Sequence, residues 1–162
     1  MTQDFMKRLN APFAPHDVEW RVQREVRNGS AVMVLPYVTN RAVQSRLDEV
    51  FGVFGWENRF IPAPSGGLIC ELRVRNPVTG EWVVKQDGAD NTQVEAVKGG
   101  MSSAMKRTAV QLGIGRYLYY LDFQFVELKQ RGQHYHRVKS SGQAAYWDTP
   151  QLPEWALPKE GK

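Results

Sequence analysis

Between residues 98 and 116 the chain places Lys98, Lys106, Arg107 and Arg116 and not one carboxylate. Between 20 and 46 it places Arg21, Arg24, Arg27, Arg41 and Arg46 against the single acid Glu25. Solvated surfaces usually interleave the two signs, because like charges at neighbouring positions repel. Two cation-rich stretches without compensation therefore point to an anion that fills them. The anion that suits several cations in a row is a phosphate backbone, held largely without regard to sequence and sensitive to salt.

Other chemistries find less support. No Gly-x-x-x-x-Gly-Lys-Ser/Thr stretch occurs, so a phosphate-binding loop for nucleotide hydrolysis is not expected. Gly99-Gly100 and Gly113-Ile114-Gly115 read as close backbone packing and a helix end. Asp87, Asp90 and Glu95 form the one acidic group suited to magnesium and hence to a nuclease. Acids before a helix start are favourable through the helix dipole alone, and that reading is preferred. His134 and His136 lie in a polar stretch with no third ligand in view and read as solvated side chains. Cys70 is the only cysteine, so no disulfide framework forms, and its apolar surroundings make it a small buried hydrophobe. The expectation is a binding protein, not an enzyme, with no catalytic residue, metal or cofactor.

Composition sets the frame. The chain has 162 residues, 42% hydrophobic and 23% charged, with a net charge of +4, which suits one folded domain and a polyanionic partner. No apolar run is long enough to cross a membrane, and the first residues lack a secretion pattern. A cytoplasmic protein, bacterial or made in a phage-infected host, is expected, with no membrane partner.

The elements that must position the cations follow from periodicity. Residues 1–17, with Pro12, Pro15 and His16, read as an irregular arm in which Phe5, Met6 and Leu9 can form one short helical turn. Val18, Trp20 and Val22 alternate with Glu19, Arg21 and Gln23, the period of a half-buried strand. Asn28-Gly29 is a turn signal and Ala31 to Val38 a second strand, so a hairpin exposes Arg21, Arg24 and Arg27. Asn40 caps a helix over about 41–52 with Val43, Leu47, Val50 and Phe51 on one face. Strands at 59–61, 68–74 and 82–85 then make an antiparallel meander, broken at Asp87-Gly88-Ala89-Asp90. The spacing predicts a long helix over about 93–112, capped by Asn91 or Thr92 and closed by Gly113. Lys98, Ser102 and Lys106, four apart, share one face of it, with Arg107 alongside. Residues 116–125 alternate aromatic and polar side chains and read as one more strand. Its aromatics, Tyr117, Tyr119, Tyr120, Phe123 and Phe125, are expected in the core, with stacking on bases as the rarer fate. From 129 to 162 a basic and then Pro- and Trp-containing stretch reads as a mobile or partner-dependent tail. The whole is an α+β fold: an antiparallel sheet of hairpin and meander packed against a long helix, with the core domain at 18–128.

Several segments resemble the Rad52/Rad22 single-strand annealing family, in its bacterial DdrA-like and phage branch. They are Asp87-Gly88-Ala89-Asp90, the run from Val97 through Ser102-Ser103-Ala104-Met105-Lys106-Arg107, and Gly113-Ile114-Gly115-Arg116-Tyr117-Leu118-Tyr119. Tyr37, Arg41, Leu47, the run Glu49 to Gly52 and Gly55-Trp56 are similar to the family's first helix and its end. Leu152 to Pro158 is similar to tails of the phage branch. The similarity covers about 18–125 and this tail. It implies protomers assembled side by side in a ring or spiral, which bind single-stranded DNA in a basic groove. It further implies annealing of complementary strands without ATP, in recombination and repair. Lys106 and Arg107 fall on the family's basic pair, Lys98 lies one helix face earlier, and Arg41 lies beside or at the groove's other basic position. Arg116, Ser102 and the hairpin's Arg21, Arg24 and Arg27 complete the expected DNA-binding set. The tail is the expected docking point for a single-strand-binding protein. A chain without a long recombinase-recruiting region points to plain annealing, with 3′-end protection or a metal-dependent nuclease as alternatives.

Overall fold

The computed structural model describes residues 2–90 and 96–159, and of 96–98 the backbone only. In chain order the elements are α1 Thr2–Asn10, β1 Val18–Val26, β2 Ala31–Val38 and α2 Asn40–Phe51. β3 Trp56–Pro62, β4 Leu68–Arg75, β5 Trp82–Ala89 and α3 Ala96–Val110 follow, then β6 Gln124–Glu127, β7 His134–Arg137 and β8 Ala144–Trp147. Among the described residues the fold is α+β, with antiparallel sheets and three α-helices. Hairpin and meander do not share one sheet, as the sequence suggested. They form separate three-stranded sheets, β1-β2-β6 and β3-β4-β5, beside a two-stranded β7-β8. The chain divides into two compact units, Met1–Phe13 with Val38–Tyr117, and Ala14–Tyr37 with Leu118–Lys162. No helix of the described residues is long and apolar enough to cross a membrane.

The first unit is built on the meander. β4 is its central strand, and Cys70, Leu72 and Val74 alternate onto one buried face. α3, 15 residues long, packs across β4 and β5. Among its described side chains the buried ones are the small Ala104, Thr108 and Ala109 and the large Met105. Small side chains let a helix backbone approach a sheet closely. Thr108 Oγ1 accordingly donates to the Ala104 carbonyl at 2.7 Å and lies 3.4 Å from the carbonyl of Cys70 across the interface. Burial pushes the Cys70 thiol above its ordinary range, as befits a core residue rather than a nucleophile. β5 runs on through Asp87, Gly88 and Ala89, where the sequence suggested a break. The expected caps Asn91 and Thr92 lie outside the described residues.

α2 is capped by Thr39, whose Oγ1 accepts from Ala42 N at 3.2 Å, one residue before the expected Asn40. Its end is fixed by Gly55, where a Cβ would fall 1.9 Å from the Phe51 carbonyl oxygen. Trp56 then donates from Nε1 to Asp48 Oδ1 at 2.7 Å and ties β3 to the helix. The N-terminal arm is not irregular. α1 packs on α2, and Leu9 and Phe13 are buried. Arg46 clasps it: Nη1 donates to the carbonyls of Arg8, Leu9 and Ala11 at 2.9, 3.3 and 2.8 Å. Its guanidinium also stacks 4.0 Å over the Phe13 ring. Arg46 is 8% exposed, so this cation of the basic stretch serves the fold and is not available to an external anion.

In the second unit, β2 lies between β1 and β6, with Ala31, Val32, Met33 and Val34 all buried. The turn at Arg27–Gly29 has Arg27, Asn28 and Gly29 at φ of 51°, 57° and 82°. The stretch 116–125 is not one strand. Arg116–Tyr120 is a 3₁₀ turn, and only Gln124–Glu127 is extended, paired with β2 so that Phe125 faces Met33. The segment beyond 129, expected as a tail, contains the β7-β8 hairpin, in which Trp147 and Ala145 are buried. His134 stacks on Trp147 at 4.1 Å, and His136 Nε2 lies 2.7 Å from Glu25 Oε1. These histidines are therefore packed against neighbouring side chains rather than freely solvated.

Removing the Arg46 fork leaves buried carbonyls unpaired. Arg46→Ala is expected to lower unfolding free energy by about 3 kcal/mol in urea denaturation. Arg46→Lys recovers only part, because an ammonium keeps neither the planar stack on Phe13 nor the Nε contact with Glu49. A second expectation concerns acid. Glu25 is held below its ordinary value of 4.5, first by the His136 contact and then by the Lys139 backbone N–H. A carboxylate with a depressed folded pKa stabilises above its unfolded value and loses that contribution as pH falls through the folded one. Intrinsic fluorescence followed below pH 4.5 should report destabilisation, and Glu25→Gln should flatten that part of the acid profile.

Candidate nucleic-acid interface

Register places the side chains around α3. In β5, Val83, Lys85, Asp87 and Ala89 lie opposite Val74, Leu72, Cys70 and Leu68 of β4. They therefore share the buried side of the sheet, onto which α3 packs. Lys85 and Asp87 thus stand beside the helix at the sheet's edge. Arg107 Nε meets Asp87 Oδ1 at 3.4 Å, and Asp87 also accepts from Gly88 N at 2.7 Å. The acid-poor helix of the sequence is acid-poor only along its own length, because a neighbouring strand supplies a carboxylate. The pair is open: the Arg107 side chain is 56% exposed and that of Asp87 31%. Such a pair contributes little to stability and leaves the guanidinium reachable.

Arg107 also lines an open recess of about 450 Å³, bounded by Ala63, Gly66 and Leu68 at the β3–β4 turn and by Gly88, Ala89 and Asp90. Gly66 and Gly88 leave backbone bare on its wall. Lys106 and Ser102 are half-buried on α3. The side chain of Lys98 lies outside the described residues. Arg41 is exposed in the first turn of α2, the helix that packs on α3. It makes no hydrogen bond or ion pair among the described residues.

Arg116 has a different role. Its Nε and Nη2 donate to the Val110 carbonyl at 3.1 and 2.8 Å, and Nη2 to that of Gln111 at 3.0 Å. These are the orphan acceptors of the α3 C-terminus, where a cation also meets the negative end of the helix dipole. Arg21, Arg24 and Arg27 are exposed and belong to the second unit. Arg21 lies 5.3 Å over the Tyr37 ring.

Lys106, Arg107 and Ser102 thus share one helix, with Arg116 locking its end. Lys85 was missed from the sequence. The signal was the period-two run Val83, Lys85, Asp87, which is useful only once the strand is known to continue past 85. Among the described residues no group of three His, Cys, Asp or Glu side chains comes together. Of the acidic trio, Asp87 faces Arg107, Asp90 lines the recess, and Glu95 lies outside the described residues.

The sequence model of the family described as "Rad52/22 family double-strand break repair protein" matches residues 1–137. Among individual proteins, the single-stranded DNA-binding protein DdrA of Deinococcus radiodurans is 36% identical over 160 residues, which cover 96% of this chain and 68% of that protein. DdrA of Deinococcus deserti is 34% identical over 158 residues, 96% of this chain and 71% of that protein.

The openness of the Arg107–Asp87 pair makes a checkable statement. Asp87→Asn should change unfolding free energy by no more than about 1 kcal/mol. Thermal unfolding that shifts by more than this would mark the pair as structural.

Proposed function

The chain belongs to the Rad52/22 family of double-strand break repair proteins, and from that membership we propose that it binds single-stranded DNA and anneals complementary strands without nucleotide hydrolysis. The observation that carries this reading is α3. It carries the half-buried Lys106 and the exposed Arg107, and Arg107 lines a bare-backbone recess. The DdrA relatives, by name single-stranded DNA-binding proteins, match nearly the whole chain.

Annealing requires a strand held by its backbone with base edges left readable. Lys106 and Arg107 are the primary phosphate contacts in this reading, with Lys98 and Ser102 on the same helix. Lys85, at the adjacent strand edge, and Arg41, on α2, add to the field. Arg21, Arg24 and Arg27 form a second phosphate-binding set on the β1 side. Arg116 acts indirectly, by fixing the end of the helix that carries the pair. The protein works as a homo-oligomer in the cytoplasm, because single exposed cation–phosphate contacts are weak and repetition along a strand multiplies them. The stretch 129–162, which includes the β7-β8 hairpin, is read as the docking region for a partner such as a single-strand-binding protein. No step calls for a metal or nucleotide cofactor, and the reading is of a binding protein rather than an enzyme.

The deciding experiment is fluorescence-monitored annealing of two complementary oligonucleotides without nucleotide or magnesium. Wild type should accelerate pairing. The Lys106→Ala, Arg107→Ala double variant should lose single-strand affinity by about 1–2 kcal/mol per contact. Its log–log salt slope should fall by roughly one per lost cation, while folding is unchanged. Unaltered affinity would remove α3 from the interface. Tight binding without acceleration would shift the reading to protection of 3′ ends.

A further inference from the structure

The 3₁₀ turn at Arg116–Tyr120 separates aromatics that a continuous strand would have treated alike. Tyr117 is buried, and its hydroxyl accepts from Phe13 N at 3.0 Å. Tyr119, Tyr120 and Phe123 are 70%, 72% and 68% exposed, and Phe125 is 46% exposed. Four large aromatic rings within seven residues thus face solvent, against the common fate of such side chains. They all belong to the second unit, and their setting can be read from register. Phe125 lies opposite Met33 on β2. Tyr37, four residues along β2, shares that face by the strand's period of two. Arg21 reaches the same face from β1, since its guanidinium sits 5.3 Å from the Tyr37 ring. One face of the β1-β2-β6 sheet therefore carries an Arg–Tyr pair and a solvent-facing Phe. Phe123 and the two exposed tyrosines lie just ahead of β6.

We propose that this face is a base-stacking platform for single-stranded DNA, with Phe125, Phe123, Tyr120 and Tyr119 offering ring faces and Arg21 a cation beside them. It rests on the reading of the chain as a single-strand binder and assigns the surface that meets the bases. Two observations favour nucleobases over a protein surface as the occupant. First, every exposed large hydrophobic residue described beyond 117 is aromatic, whereas the exposed aliphatic ones, Met6, Val53, Val78 and Val84, all lie in the first unit. A protein interface has no reason to exclude aliphatic side chains, while stacking on bases uses only π faces. Second, Arg21 is exposed on this face of β1, which also carries Glu19 and Glu25, and Arg27 is exposed in the turn beyond it, cationic charge of the kind that a phosphate chain requires. The segment's own acids, Asp122 and Glu127, flank Phe123 and Phe125 rather than separate them. Stacking holds a base by its face and leaves its Watson–Crick edge free, as strand pairing demands.

The test compares two probes on the full chain: a labelled oligothymidylate and an abasic strand of equal length and charge. Wild type should bind the base-bearing strand more tightly than the abasic one by roughly tenfold or more. The Tyr120→Ala, Phe123→Ala, Phe125→Ala variant should bind both at the abasic level, with an unchanged salt slope, because phosphate contacts are retained. Phe123→Trp with Phe125→Tyr, which keeps the rings, should restore the preference. A triple variant that keeps the wild-type preference overturns the platform while leaving single-strand binding intact. A triple variant that loses affinity for both probes together with its oligomeric state in sedimentation also overturns it, and makes the face a contact between copies. Wild type that binds neither probe overturns the underlying reading and the platform with it.

Discussion

The close seating of α3 on the β3-β4-β5 sheet is the constraint from which the rest of the first unit follows. Ala104, Thr108 and Ala109 are small enough to bring the helix down onto β4, and Thr108 reaches the carbonyl of Cys70 across that short gap. With this side committed, Lys106 and Arg107 fall on positions that retain access to solvent. The β5 edge, carrying Lys85 and Asp87 toward the helix, comes within reach of Arg107. At the other end Gln111 Nε2 donates to the Gln86 carbonyl at 2.6 Å, and Arg116 closes the helix. A bulky residue at Ala104 or Ala109 would lift the helix and move every cation on it. The basic pair is thus positioned by residues that carry no charge.

Cations that look equivalent in the sequence hold different offices in the fold. Arg46 is buried and divided among three carbonyls. Arg116 is shared between the last carbonyls of α3. Arg107 is held loosely by one carboxylate at 3.4 Å, and Arg41 by nothing among the described residues. Residue type reports the charge. Only tertiary structure reports whether a backbone oxygen has already claimed it, since the acceptors for Arg46 lie 35 to 38 residues away. The arginine that sequence alone ranked with the anion binders is the one most deeply engaged in packing.

The same division marks what was legible in the sequence. Strong local signals carried through: the alternation that becomes β1, the turn before β2, the α2 stripe of Val43, Leu47 and Val50, and the three meander strands. What failed depended on partners far along the chain. β6 pairs with β2, and nothing in Gln124 to Glu127 names that partner. The run 116–125 imitates a strand because its aromatics alternate, yet Arg116 is drawn back to the helix end, and the chain leaves it in a 3₁₀ turn. Residues beyond 129 look polar enough for a tail. His134 on Trp147 and His136 on Glu25 nevertheless hold β7 in place, and the latter contact spans 111 residues. Of the candidate site, the helix and its cations were readable, while Lys85, the carboxylate opposite Arg107 and the structural duty of Arg116 were not.

The looseness of the Arg107–Asp87 pair is itself consistent with the proposed function. A buried pair would be costly to open, and a phosphate could not displace the carboxylate without leaving a charge unpaired. At the observed exposure the exchange is nearly neutral: the departing carboxylate is hydrated, and the arriving phosphate meets a guanidinium already aimed outward. Contacts of that kind are individually weak, which an annealing protein needs, because a strand gripped tightly at each phosphate could not shift register to find its complement. In the proposed homo-oligomeric reading, affinity comes from repeating the contact along the strand and across copies of the chain, and release after pairing needs no energy source. A helix poor in acids along its described length, with the replaceable carboxylate of Asp87 beside it, supplies that balance of attraction and mobility.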